Sequence, residues 1–354
     1  MKRKTKTIKS AKSLGKVPAA RKAVGVSEGR VRVGKLPDVG PLPVLIEPEV
    51  EGLDLGKWVA NHRQELVQHL ESVGGVLFRG FRLDPPDALQ PIVEAGSEGL
   101  LEYSYRSTPR TRVKGKIYTS TEYPPDQHIP MHNEMSYTRT WPMRIWFLSV
   151  VCAEEGGETP IADSREVYRR LDPAVRERFA EKGVLYVRNY GGGLDLSWQE
   201  VFNTDDRSEV ERFAAEQGID VEWLDGDALR TRQLCQAVAR HPRTDEPVWF
   251  NQAHLFHVSS VEQELRQALL EQFDEDQLPR NTYYGDGTPI SDEDLAAIRR
   301  AFDEASIAFP WKPGDVLALD NMLVAHGRRP FSGPRKVLVG MAEPQSAQGV
   351  TEAV

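Results

Sequence analysis

The stretch IPMHNEMSY, residues 129–137, places a histidine and a carboxylate two positions apart among methionines and an aromatic residue. Such flanks read as a half-buried strand, on which alternate side chains share a face, so His132 and Glu134 would point the same way. Two ionisable groups turned toward one interior point are costly unless something there pairs with them, and a metal ion is one such partner. A second His-x-Glu pair, His69 and Glu71, serves as an internal control. It falls in an amphipathic helical pattern, where residues two apart lie about 200° apart around the axis. That pair cannot share a ligand and reads as structural.

A mononuclear centre needs a third donor. Two neutral imidazoles and one carboxylate on one face of an octahedron leave three positions open, the arrangement of non-haem Fe(II) oxygenases. On spacing alone His254, His257 and His326 all remain candidates. A dicarboxylate co-substrate would need a fork-shaped cation at its far end, which Arg supplies and Lys does not. Arg328, Arg329 and Arg335 follow His326 closely, whereas WFNQAHLFHVSS (249–260) holds no arginine. A strand opening at Arg335 would turn Arg335, Val337 and Val339 to one face. An ordinary surface arginine is the competing reading of Arg335.

The elements that must position these residues follow from periodicity. LGKWVANHRQELVQHLESVGG (55–75) fits one amphipathic helix with Trp58, Val59, Leu66, Leu70 and Val73 along a face, stopped by Gly74-Gly75. VLFRGF (76–81), RIWFLSVVCA (144–153), GVLYVRNYG (183–191), GDVLALDN (314–321) and KVLVGMAE (336–343) read as strands. Helices are expected over 163–183, with an Asp163 cap and a Gly183 stop, over 259–273, and over 291–311 running into a turn. Strands at both ends of the body with a helical insertion between them, roughly 192–300, make an α+β domain. No Rossmann or P-loop signature occurs in a strand–turn–helix context.

Three segments in order, MHNEMSYTRTWPMRIWFLSVVCAEEGGETPIADSREVYRRL, VWFNQAHLFH and HGRRPFSGPRKVLVGM, resemble the taurine dioxygenase/TfdA superfamily of Fe(II)- and 2-oxoglutarate-dependent oxygenases. More narrowly they are similar to the branch containing clavaminate synthase and the syringomycin-pathway aspartyl hydroxylase. LFRGF near residue 78 and GGETPIADS at 156–164 fall in the order that branch requires, and the resemblance covers roughly residues 40–345. It implies His132, Glu134 and His326 as iron ligands, Thr159 as a hydroxyl donor to 2-oxoglutarate, and Arg335 as partner of its distal carboxylate. The implied fold is a distorted double-stranded β-helix, or jelly roll, with flanking helices. Many relatives carry a second arginine four residues after the first; here that position is Val339, and Arg328 is the expected substitute.

The implied reaction consumes O2 and 2-oxoglutarate and hydroxylates an unactivated C–H, expected at Cβ of an amino acid or amino-acid derivative in secondary metabolism. Halogenases of this fold leave the carboxylate position to a small residue, so Glu134 favours hydroxylation. Asn251 and Arg328 are candidates to contact a substrate amide or carboxylate, with a structural role as the alternative for each. His254 and His257 are expected to pack or support rather than ligate. Two other functions stay in view: a dioxygenase for a sulfonate, phosphonate or other small acid, and a non-catalytic cupin-like metal-binding module.

Charge is unevenly divided. The net value is −8, yet residues 1–35 hold twelve Lys or Arg against Glu28 alone, leaving −19 for the remainder. The first 35 residues are expected to form a disordered tail, solvated or docking to an acidic partner such as a carrier protein, ahead of a catalytic domain over 36–350. So acidic a body makes nucleic acid an unexpected partner. No run has the length of a membrane span and no signal-peptide pattern occurs, so the cytoplasm is the expected location. Cys152 and Cys235 suggest neither a disulfide framework nor a zinc site.

Overall fold

The apolar run 144–153 becomes the middle of the molecule. In the computed structural model it lies in the strand Thr140–Val151, flanked by Val316–Asp320 on one side and Lys336–Ser346 on the other, both antiparallel to it. The structure describes residues 30–347, apart from 38, 86, 103, 104, 106, 108, 109, 121, 122 and 192–194. The first 29 residues of the expected basic tail lie outside the described residues. Val31–Lys35 is already a strand, paired with Val44–Pro48, so the folded body begins ahead of residue 36.

The large sheet has eight strands, in the order 31–35, 44–48, 75–78, 316–320, 140–151, 336–346, 117–119 and 112–114. Its side chains alternate between two packed faces, as a pleated strand requires. Trp146, Leu148, Val316, Ala318 and Leu338 pack on Leu55, Trp58, Leu66, Leu70, Ile92 and Val93 of three helices. Ile145, Phe147, Leu317, Leu319, Val337 and Val339 face Ile161 and Val324 of a second, four-stranded sheet. With both faces buried, these strands read as unbroken apolar runs, which is why they were legible. Each large side chain so buried contributes about 1.5–3 kcal/mol.

The second sheet runs 306–307, 161–163, 324–328 and 129–132. It brings together segments almost 200 residues apart, and the candidate site lies between it and the large sheet.

Two expected helices are each two. Leu55–Asn61 and Arg63–Val73 break at His62, and Ser164–Arg170 and Pro173–Lys182 break before Pro173, which lacks the N–H to continue a helix. Asp163 caps the second pair by accepting from the Arg165 and Glu166 amides.

The insertion is not purely helical. Ile219–Trp223, Leu229–Cys235 and Arg280–Tyr284 lie within it and join Val184–Tyr190, just ahead of it, in a four-stranded antiparallel sheet. Sequences such as IDVEW and LRTRQLC alternate charge with short apolar positions, so no run announced them.

Candidate metal centre

His132 ends the strand Ile129–His132, but Glu134 lies beyond it in a turn, where Met135 adopts φ 57°. The expectation that strand alternation would align the pair is therefore corrected: a strand end and a reversal of the chain bring them together. That reversal is buried, and its backbone groups need partners. Asn321 supplies them. Its Oδ1 accepts from the Glu134 amide at 2.7 Å, and its Nδ2 donates to the carbonyls of Glu134 and Pro142 at 2.9 and 2.8 Å. Asn133 Nδ2 donates in turn to the Asn321 carbonyl at 2.6 Å and to Ser164 Oγ at 3.0 Å.

His326 sits in the strand Val324–Arg328 directly opposite His132, with ring centroids 4.5 Å apart. One donor atom from each of His132, Glu134 and His326 lies within 4.8 Å of the others, and His326 Nε2 is 3.8 Å from Glu134 Oε2. The donor set suits a divalent transition metal. His132 Nδ1 lies 2.8 Å from the Pro130 carbonyl and so carries the proton, which leaves Nε2 with its lone pair. Burial pushes His132 below the usual imidazole range and His326 well below it, so both rings are neutral and able to ligate. Of the other histidine candidates, His254 Nε2 bonds the Met131 carbonyl at 2.9 Å and supports the strand before His132. His257 Nδ1 accepts from the Ser259 amide at 3.1 Å.

His132 and His326 open onto a cavity of about 380 Å³, counting space continuous with solvent, lined also by Thr159, Arg335, Val337 and Val339. Arg335 lies just ahead of the strand Lys336–Ser346 and does share the cavity face with Val337 and Val339. Its Nε donates to the Gly157 carbonyl at 3.0 Å and its Nη1 to Ser120 Oγ at 3.3 Å. Gly157, at φ 72°, has no Cβ, and one there would crowd Arg335 Cδ and Nε at 3.1 Å. Burial lowers the Arg335 guanidinium to about 10, still protonated at neutral pH, and Glu158 offsets this only in part. Thr159 Oγ1 accepts from Trp311 Nε1 at 3.1 Å, which leaves its own hydroxyl proton for a ligand oxygen.

Two expected substrate contacts fall elsewhere. Arg328 reaches the cavity wall, but its guanidinium is committed to the carbonyls of Tyr123, Pro124 and Gln127 at 2.9, 2.5 and 2.8 Å. Asn251 is fully buried, holding the Ala237 carbonyl and the Ala253 amide, and it does not line the cavity. Both pin loops. Conversely, sequence reasoning missed Arg110. It lines the cavity and its Nη2 donates to Glu134 Oε2 at 2.6 Å, with both side chains almost inaccessible.

The family model for taurine catabolism dioxygenase TauD, TfdA family matches residues 38–342. The chain is 44% identical over 275 residues to the dapdiamide synthesis protein DdaC of Enterobacter agglomerans, covering 78% of this chain and 84% of that one. It is 33% identical over 322 residues to a clavaminate synthase-like protein of Arabidopsis thaliana, covering 86% and 94%. Among solved structures, PvcB of Pseudomonas aeruginosa superposes with a TM-score of 0.52 at 19% identity, over 91% of this chain and 94% of that one. A second PvcB structure, described as an Fe, alpha-ketoglutarate dependent oxygenase from an isonitrile synthetic pathway, gives 0.50 at 18%, over the same shares.

Proposed function

The chain belongs to the TauD/TfdA family of dioxygenases, which work with Fe(II), 2-oxoglutarate and O2, and we propose that His132, Glu134 and His326 are its iron ligands. The observation that carries this is convergence: two imidazoles grouped with the Glu134 carboxylate open into the same cavity as a desolvated arginine and a threonine hydroxyl with its proton to donate. In this reading Arg335 pairs with the distal carboxylate of 2-oxoglutarate and Thr159 donates to it. The two sheets form the jelly roll, and the catalytic domain takes in residues 36–350.

Iron bound there would couple O2 and 2-oxoglutarate to hydroxylation of a C–H, giving succinate, CO2 and the alcohol. The chain's own residues bind and orient. Arg335 and Thr159 hold one end of the keto-acid, Val337 and Val339 keep water from its flank, and Asn321 holds the Glu134 turn in place. The substrate is an amino acid or amino-acid derivative attacked at Cβ, in secondary metabolism, free or borne on an acidic carrier protein. Support comes from the dapdiamide synthesis relative, whose name places it in a biosynthetic route. The neutral-pH cytoplasm, rich in 2-oxoglutarate, is the compartment this chemistry fits.

Two experiments test the reading. Anaerobic Fe(II) plus 2-oxoglutarate should give a visible charge-transfer band, and its absence would rule out chelation. Mass spectrometry of a panel of amino acids, free and loaded on a carrier protein, should show a gain of one oxygen in one half of the panel; a panel that gains oxygen nowhere overturns the substrate assignment.

A further inference from the structure

The hydroxyl of Thr159 meets one protein partner among the described residues, the indole of Trp311, whose Nε1 donates to Oγ1 at 3.1 Å. Trp311 does not line the cavity; Thr159 does. An indole N–H donates and never accepts, so the hydroxyl proton cannot turn toward it. The backbone on either side of Thr159 is fixed. The Glu158 carbonyl takes the Arg329 amide at 3.0 Å, and the Pro160 carbonyl takes the Gly327 amide at 2.9 Å. What remains free is rotation of the hydroxyl, and the indole restricts it. The loop that carries Trp311 is held by Arg79 of the LFRGF segment. Arg79 Nε and Nη2 donate to the two Asp315 carboxylate oxygens at 3.0 and 2.6 Å, and Nη2 also donates to the Pro310 carbonyl at 3.0 Å. Asp315 accepts the Lys312 amide at 2.8 Å, and the Ser149 carbonyl takes the Gly314 amide at 2.8 Å. Trp311 is thus pinned through its neighbours on both sides.

From this chain of contacts we infer that Trp311 is a positioning residue for the co-substrate, acting through Thr159. Its N–H occupies one side of Oγ1 and leaves the hydroxyl proton to the side where the carboxylate of 2-oxoglutarate lies. Arg79, remote from the cavity lining, contributes by holding the loop that aims the indole. Without the N–H the hydroxyl rotates among several directions, and ordering it on binding costs affinity. The inference rests on the reading that seats 2-oxoglutarate against Thr159 and Arg335, and its test separates the two.

The test uses the full chain with Fe(II) under anaerobic conditions and titrates 2-oxoglutarate while reading the charge-transfer band. Trp311→Phe keeps an aromatic ring beside Phe309 and removes the N–H. It should bind Fe(II) as tightly as wild type and 2-oxoglutarate about fivefold more weakly, the worth of one neutral hydrogen bond. Thr159→Val should weaken 2-oxoglutarate binding about tenfold or more. Adding Trp311→Phe to Thr159→Val should cost no more than about twofold further, since no hydroxyl is left to direct. In Thr159→Ser, which keeps the hydroxyl, Trp311→Phe should again cost about fivefold or more. A ring that only packs would weaken binding equally in all three backgrounds. That result, an unchanged 2-oxoglutarate affinity in Trp311→Phe, or a parallel loss of its Fe(II) affinity would overturn the inference. Absence of the band from the wild type, or wild-type affinity in Thr159→Val, would instead overturn the reading on which it rests.

Discussion

Glu134 and Arg335 make opposite demands on their surroundings, and each predicts a separate loss. Glu134 is the carboxylate of a three-donor set whose other members are neutral imidazoles. Glu134→Ala should lower iron affinity by about 100-fold or more and abolish the charge-transfer band, measured by metal titration and anaerobic absorbance. Full turnover by that variant would refute the ligand assignment. Arg335 lines the cavity beside the imidazoles, where burial disfavours its charge. Arg335→Lys keeps the charge but cannot form a bidentate pair. Its KM for 2-oxoglutarate should rise by about 30-fold, about 2 kcal/mol, with kcat at saturation changed far less. A fall in kcat alone would place Arg335 elsewhere in the cycle.

The element that holds the centre together is the turn after Ile129–His132, clamped by Asn321 between two strands. Asn321→Ala leaves the Glu134 amide and two carbonyls buried without partners, at about 1–3 kcal/mol for each unsatisfied group. It should lower unfolding free energy by about 3 kcal/mol or more in urea denaturation and weaken iron binding 10–100-fold. Unchanged iron affinity would show that the turn holds without the clamp. This clamp also marks how far the sequence was readable. The long strands at 140–151, 316–320 and 336–346 stood out because both faces are buried, and Arg335 with Val337 and Val339 followed from their alternation. Asn321 lay in plain view as a polar step in LALDNMLVAHG, but its partners are 187 residues away and no local pattern joins them. Arg110 was hidden for a different reason. Its segment, SYRSTPRTRVKGK, has the composition of a solvated loop, and only tertiary packing buries it. Ile219–Trp223 and Leu229–Cys235 escaped because charged residues interrupt their short apolar positions.

At the scale of the whole molecule, one buried ionic network ties the large sheet to the insertion and to a helix. Asp320 accepts from Arg144 on the neighbouring strand and, at 3.0 Å, from Nε2 of His241, whose Nδ1 takes the Thr244 amide. Glu343 and Glu71 continue the chain of contacts through Arg243 at 3.1 and 3.2 Å. Burial alone would raise the Asp320 carboxyl, but Arg144 and then His241 outweigh it and hold the group at about 2, below its ordinary 3.8. A depressed carboxylate stabilises the fold above its unfolded value and loses that contribution as pH falls through the folded one. About 2 kcal/mol should therefore disappear between roughly pH 4 and pH 2, and Asp320→Asn should flatten that part of a stability-versus-pH curve. A curve unaltered by the substitution would show that other carboxylates govern acid unfolding.

The order of the chain has a further consequence during synthesis. Two donors, His132 and Glu134, emerge from the ribosome long before His326, and Arg335 with the strand Lys336–Ser346 comes after that. That last strand slots between Thr140–Val151 and Ile117–Thr119, so the sheet stays open down its middle until Lys336–Ser346 has been made. A nascent polypeptide that stops short of His326 thus lacks one proposed iron donor and the proposed anchor for 2-oxoglutarate. On the proposed assignment, the centre is completed only when that late strand pairs.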